Sequence, residues 1–246
     1  MKKLLALIMV MALSTVSFAD DGKLKSPSDL KTEKLAAQRG TTGQYIAEDL
    51  LGDKKDELLT TYEKYVDAVA ALRQGKIRAI VMDEMPAKRF VKEVDGLAIM
   101  DEALSEESYA IGFKKGNTEL VSKVNEALRE MKADGTMSAI FAKYTDGDYS
   151  ATKPDDIDFN KGAKDGKLYV GTEAGFAPYE LKVGNGFIGI DIEMCANIAK
   201  KLGKELVIIN MNFDAYWRNN YDLIGYIQTQ GAGGYIDKRA NVATMK

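Results

Sequence analysis

The sequence predicts an α/β protein built on an open, largely parallel sheet. Three observations carry that prediction. "IRAIVMD", Ile77 to Asp83, is a near-continuous apolar run of strand length, the pattern of a strand covered on both faces. Strand-like runs alternate with amphipathic helical segments at the spacing of βα units. The same rhythm restarts near residue 166, after a polar interval.

The elements follow in order. Lys34 to Gln38 is a strand that runs into "RGTTG", a glycine-bounded turn, and "QYIAEDLL" from Gln44 is a helix. "YVDAVAALRQG" is a second helix, with Gly75 as its stop. After "IRAIVMD" come the helix "MPAKRFVKEV" and the strand "LAIMD". "SYAIGFKKG" (Ser108 to Gly116) is a further strand, with Asn117 a good N-cap behind it. Leu120, Val121, Val124, Leu128 and Met131 then recur at helical spacing up to Gly135. The helix "MSAIFAKY" ends near Tyr144. Residues 145–165 are polar and without apolar periodicity, which reads as a flexible linker spanning roughly 25 Å root-mean-square. Beyond it "KLYVGT" and "GFIGI" are strands, "DIEMCANIAKKLG" a helix and "ELVIIN" a strand. From Met211 onward the pattern weakens, and "TQGAGGYIDKRANV" reads as loop plus a helix start.

Residues 1–19 are a separate segment. Lys2 and Lys3 precede the apolar stretch Leu4 to Leu13, and Ser17-Phe18-Ala19 supplies small residues at the cleavage positions. That is the pattern of a secretory signal, too short for a membrane span. Cleavage after Ala19 leaves Asp20 first, and with no cysteine at the junction no lipid anchor is expected. The expected product is a soluble protein of the periplasm.

Composition narrows the chemistry. Of 246 residues, 46% are hydrophobic and 29% charged, ordinary for a globular protein, and the formal charge is −3. No basic stretch interleaves with aromatics, which sets nucleic acid aside. There is no histidine and one cysteine, Cys195. The commonest general base and zinc ligand are therefore missing, no internal disulfide is available, and no cofactor or metal is implied. Cys195 itself reads as a buried helix residue.

Several stretches carry a resemblance. "SPSDLKTEKLAAQRGTTGQ", "AALRQGKIRAIVMDEMPAKRFV", "YAIGFKKGNTELVSKVNEALREMKADGT" and "GTEAGFAPYE" followed by "GFIGIDIEMCANIAKKLG" resemble the amino-acid-binding proteins of bacterial ABC importers. These are the type II periplasmic binding proteins. The resemblance covers nearly all of residues 24–144 and about 165–213, in rotated order. Relatives begin with the segment resembling "LYVGTEAGFAPYE" and end with the "ALREMKADGT" helices. The chain thus reads as circularly permuted, a mild change because domain termini lie at the surface and often close together.

The resemblance implies a two-lobed fold hinged around a cleft. Lobe 2 is expected over 20–107, and lobe 1 over 108–144 and 166–246, with 145–165 as the permutation linker. By the same resemblance, one of the family's two interlobe crossings is expected to be missing here. A looser hinge is expected, or a homodimer that supplies the missing strand to an exposed sheet edge.

A free amino acid needs a carboxylate site, an ammonium site and a side-chain pocket. Thr41 and Thr42 stand at the start of a helix, where unpaired N–H groups and the dipole favour an anion, though "GTTG" by itself is a capped turn. The resemblance assigns Arg239 to grip the carboxylate with two hydrogen bonds and Asp83 to pair with the ammonium. Asp83 also ends a buried-type strand, where α/β sheets bind ligands, but such a residue is commonly a helix N-cap. The resemblance further puts Phe176 against the ligand side chain, Tyr179 in the core and Phe213 in the cleft. Glu173 matches a position often acidic in members that take polar or cationic ligands; its bland reading is a solvated turn carboxylate. Arg39 and Arg78 read as surface charges.

The function implied is a solute-binding protein, not an enzyme, that captures an extracytoplasmic amino acid for an ABC permease at the inner membrane. The alternatives are a sensor or a degenerate non-binding homologue, and, more remotely, a dehydratase-like enzyme using Glu173 as its acid.

Overall fold

A computed structural model describes residues 4–11, 24–145, 149–218, 223–230 and 240–244. The chain forms two compact units: Met1–Glu107 with Gln230–Gly233, and Ser108–Thr229 with Gly234–Lys246.

The first unit contains β1 (Leu4–Met11), β2 (Leu35–Gln38), α1 (Thr42–Leu51), the single turn α2 (Lys55–Leu58), β3 (Leu59–Tyr62), α3 (Tyr65–Arg73), β4 (Ala79–Asp83), α4 (Glu84–Glu93) and β5 (Leu97–Ile99). It also holds the first residues of β6 (Ser105–Lys114). β2 lies between β3 and β4 and is parallel to both, with Ala37 opposite Val81. All five residues of β4 and all four of β2 are buried, as the apolar runs require. Leu30, Leu35, Leu51, Val81 and Met100 gather beneath α1 into one cluster. Each fully buried side chain of this kind contributes about 1.5–3 kcal/mol. Gly75 sits at φ 67, the left-handed geometry that ends α3. The other edge of β4 pairs antiparallel with β1, Ala6 opposite Asp83 and Val10 opposite Ala79. The segment read as a signal thus also has the apolar pattern of a strand.

The second unit continues β6 into α5 (Thr118–Ala133), α6 (Thr136–Thr145), β7 (Lys167–Thr172), the hairpin strands β8 (Gly175–Phe176), β9 (Glu180–Val183) and β10 (Gly186–Ile188), then α7 (Ile190–Lys201), β11 (Glu205–Asn210), β12 (Leu223–Gln230) and β13 (Ala240–Thr244). The sheet order is β11-β7-β12-β6, with β11 and β12 both parallel to β7 and β13 antiparallel to β6. Asn117 occupies the N-cap position of α5 without making a side-chain cap bond. In the weak tail Leu223–Gln230 is a strand for which the sequence gives no element, and one reading is corrected: Ala240–Thr244 is a strand where a helix start is expected. Neither segment alternates apolar and polar residues, so period-2 patterning gave no strand signal there.

The interval expected to be a flexible linker is held along its described part. Residues 149–165 make two 3-10 turns and run beside β11. The Leu206 amide donates to the Phe159 carbonyl at 2.9 Å, and the Asn160 side-chain amide donates to the Lys204 carbonyl at 2.9 Å. The Asp165 amide donates to the Gly203 carbonyl at 3.2 Å. Because β11 ends the strand order, this strap covers an edge that would otherwise present open hydrogen-bonding groups. Composition concealed this, since the strap is held by main-chain and amide bonds rather than by apolar periodicity.

Candidate functional site

The carboxyl ends of adjacent parallel strands collect the sequence-selected residues in each unit. In the first unit β2 leads through residues 39–41 into α1, and β4 leads directly into α4. Thr41 is the N-cap of α1 and only 4% exposed. Its hydroxyl donates to the Gln38 carbonyl at 2.8 Å and accepts from the Gln44 amide at 3.3 Å. Gln44 reaches back in turn, its Oε1 accepting from the Gly40 amide at 2.8 Å. The turn is therefore locked from both sides, close to a capping box in logic. Thr42 and Gly43 begin the helix, where first-turn amides lack intrahelical acceptors.

Gly43 explains how this helix end comes to lie against β4. A Cβ there would stand 2.9 Å from the Val81 carbonyl oxygen. Only glycine lets the first turn of α1 approach the end of β4 so closely. Asp83 ends β4, is 4% exposed and holds the N-cap position of α4, yet its side chain makes no cap bond. The N-cap reading is thus right about its position and wrong about its hydrogen bonding. Thr41, Thr42 and Asp83 are brought to neighbouring strand ends. Arg39 is exposed and ion-paired to Glu63 at 3.7 Å, as befits a surface charge; Arg78 is half-buried.

In the second unit β7 and β11 run in register to Thr172 and Asn210. Glu173 follows β7 directly and is 4% exposed, so the solvated-turn reading fails. Its side chain curls over the next turn, since a Cβ on Gly175 would stand 2.9 Å from Oε1. The Ala174 amide donates to Asn210 Oδ1 at 2.9 Å, pinning this turn to β11. Phe176 stacks on Tyr179, ring centroids 5.7 Å apart, and Tyr179 is buried with Tyr109 edge-on to it at 5.1 Å. Phe176 stays half-buried and Phe213 opens the 3-10 turn that packs on β7. Glu173, Phe176 and Phe213 thus cluster at the ends of β7 and β11. Arg239 lies outside the described residues.

Sequence reasoning missed the residues that build these ends: Gly43, Gln44 and Asn210. Only Gly43 left a trace, as the last letter of "GTTG". It also missed a buried acidic pair, Glu180 on β9 and Asp191 on the first turn of α7, each at most 5% exposed. Burial first, then the Asp191 charge and hydrogen bond and the charge of Glu173, push the Glu180 carboxyl well above the ordinary carboxylate range. Burial likewise raises Asp191, to about 8. Cys195 is buried, and burial pushes its thiol up and keeps it unreactive.

Among the described residues no group of acidic or cysteine side chains is placed to hold a metal ion. None of the described helices is long and apolar enough to cross a membrane.

Comparison with known proteins matches this arrangement to one family. The profile of bacterial extracellular solute-binding proteins, family 3, matches residues 22–147 and 168–223. The chain is 32% identical over 135 residues to the L-cystine-binding protein TcyJ of Escherichia coli (strain K12), covering 54% of this chain and 49% of that protein. It is 28% identical over 132 residues to the ABC transporter arginine-binding protein 1 of the same strain, covering 52% and 53%. Among solved structures, a mutant of ArgBP from T. maritima superposes with a TM-score of 0.50 at 30% identity, covering 58% of each chain. The chain spans about half the length of the curated relatives it matches.

Proposed function

The chain belongs to the bacterial extracellular solute-binding proteins, family 3, and from that premise we propose that it captures a free amino acid outside the cytoplasm and delivers it to an ABC permease. The observation that carries this reading is the close approach of α1 to the end of β4 across Gly43. It sets the helix N-terminus of Thr41 and Thr42, suited to a carboxylate, beside Asp83, suited to an ammonium. Arg239 is proposed as a second grip on the carboxylate. Phe176 and Phe213 offer apolar surface to the side chain, and buried Glu173 favours a cationic or hydrogen-bonding one. Cystine and arginine, the ligands for which two relatives are named, fit that description.

Calorimetric titration of residues 20–246 with each standard amino acid and cystine tests the reading. Saturable binding of one chemical group is expected. Silence across the panel, from protein shown to be folded, would leave the sensory or non-binding alternative.

Export and permutation belong to the same proposal. Cleavage after Ala19 would remove Leu4–Met11, the strand paired with β4. In the exported form the β4 edge would then be open to a second copy. Cross-linking of residues 20–246 at micromolar concentration is expected to trap dimers; monomers alone would end that part of the proposal. The strap beside β11 supports the permuted order, because it joins α6 to β7 across the surface of a single unit.

A further inference from the structure

We propose that Glu180 and Asp191 form a proton-holding clasp that fixes the turn Glu173–Tyr179 against the first turn of α7, and that ionisation of the pair as pH rises releases this turn and weakens ligand capture. The coupling to ligand rests on the function proposed above; the clasp itself does not.

Three features of the geometry carry it. First, the turn is already joined to α7 by main-chain bonds: the Ile190 amide donates to the Pro178 carbonyl at 3.0 Å and the Asp191 amide to the Tyr179 carbonyl at 2.9 Å. Glu180 directly follows this turn, and Asp191 carries the second of the two amides that grip it. Second, both carboxyls are buried, and Glu180 Oε2 and both Asp191 oxygens lack any partner outside the pair among the described residues. Two ionised carboxylates in that position would repel each other and leave uncompensated buried charge. With one proton between them, one carboxyl donates to the other, which pairs two of the three orphaned oxygens and removes one of the two buried charges. Third, among the described residues no cation relieves the pair. Thr172 offers Glu180 a hydroxyl, and Glu173 adds a like charge. Cys195, one helical turn beyond Asp191, is neutral. β10 carries no charged residue, and Lys182 on β9 is exposed. Lys143 of α6 is engaged by Glu193, and Lys201 at the far end of α7 by Glu130 of α5. Glu205 of β11 is taken by the strap amide of Gly162. The helix N-terminus favours a charged Asp191, but burial outweighs it.

The sign follows from linkage. Asp191 titrates near 4 when unfolded and is raised to about 8 in the folded chain. Between those values the folded state holds a proton that the unfolded state has released. The stability it contributes is complete below about pH 4 and is lost as pH climbs to about 8. Each pH unit inside that window costs tenfold in the folding equilibrium. Glu180, raised further, extends the loss to higher pH.

Thermal unfolding of the full chain between pH 5 and 9 tests the clasp in the wild type, Asp191→Asn and Glu180→Gln. The wild-type midpoint is expected to fall with pH. Each amide, which donates as the protonated acid does, should flatten the slope and raise stability at pH 8.5. Should both variants fail to fold, infrared spectroscopy of the wild type still decides the matter: a protonated carboxyl band should be present at pH 7 and disappear on alkaline titration. A slope unchanged in both variants, or no such band, overturns the clasp. For the coupling, the protection of the amides of 173–177, 179 and 180, taken relative to the intrinsic exchange rate at each pH, should fall at pH 9 in the wild type only, and ligand affinity should fall in parallel. Unchanged affinity over a range where these amides loosen overturns the coupling. If no amino acid binds at any pH, the functional reading fails, and the unfolding slope still reports on the clasp.

Discussion

Replacing Asp83 by alanine is expected to weaken amino-acid binding by about 30-fold to several thousand-fold. The estimate follows from truncating one partner of a buried charge pair, which costs about 2–5 kcal/mol. Asp83 stands at the buried end of β4, beside the helix terminus that Gly43 brings close. Its side chain does not cap α4, so the loss of affinity is not a loss of that helix. Calorimetry on the wild type and variant measures it, with circular dichroism confirming the fold. Asp83→Asn should fall between the two, because it keeps the hydrogen-bonding shape and loses the charge. Wild-type affinity in Asp83→Ala would remove this residue from the site and leave the ammonium without a partner.

Gly189→Ala is expected to cause the largest loss of stability, roughly 3–5 kcal/mol, or on the order of 10 °C in Tm. Gly189 has φ 134, a conformation that strains any residue with a Cβ. A Cβ there would lie 2.1 Å from the Tyr179 carbonyl oxygen and 2.6 Å from its carbon. Neither atom can yield, because the same carbonyl accepts from the Asp191 amide. The substitution would push the Glu173–Tyr179 turn off α7, so ligand affinity should fall with stability. Thermal unfolding measures the first effect and titration the second; a Tm within about 2 °C of wild type would show that the turn gives way without cost.

Much of the fold was legible because its signals are local. β2, β4, β7, β11 and the long helices α5 and α7 announce themselves through unbroken apolar runs or helical spacing. β3, "LTTY", is half-buried and polar in part, so its pattern says little. The hairpin β8–β9 is only a few residues per strand and hides in a turn. The strap is held by bonds to partners some 40 residues away, for which no local signal exists.

The sequence by itself determined the α/β class, the family and the strand-end positions of Thr41, Thr42, Asp83, Glu173 and Phe176, because each depends on residue type within one short segment. Tertiary structure alone decided three other matters. It showed Glu173 buried rather than solvated and Asp83 at an N-cap position without capping. It also brought Glu180 and Asp191 together where no cation among the described residues relieves them. These depend on which groups from distant segments exclude water around a carboxyl, and burial of that kind is a property of packing, not of any stretch of chain.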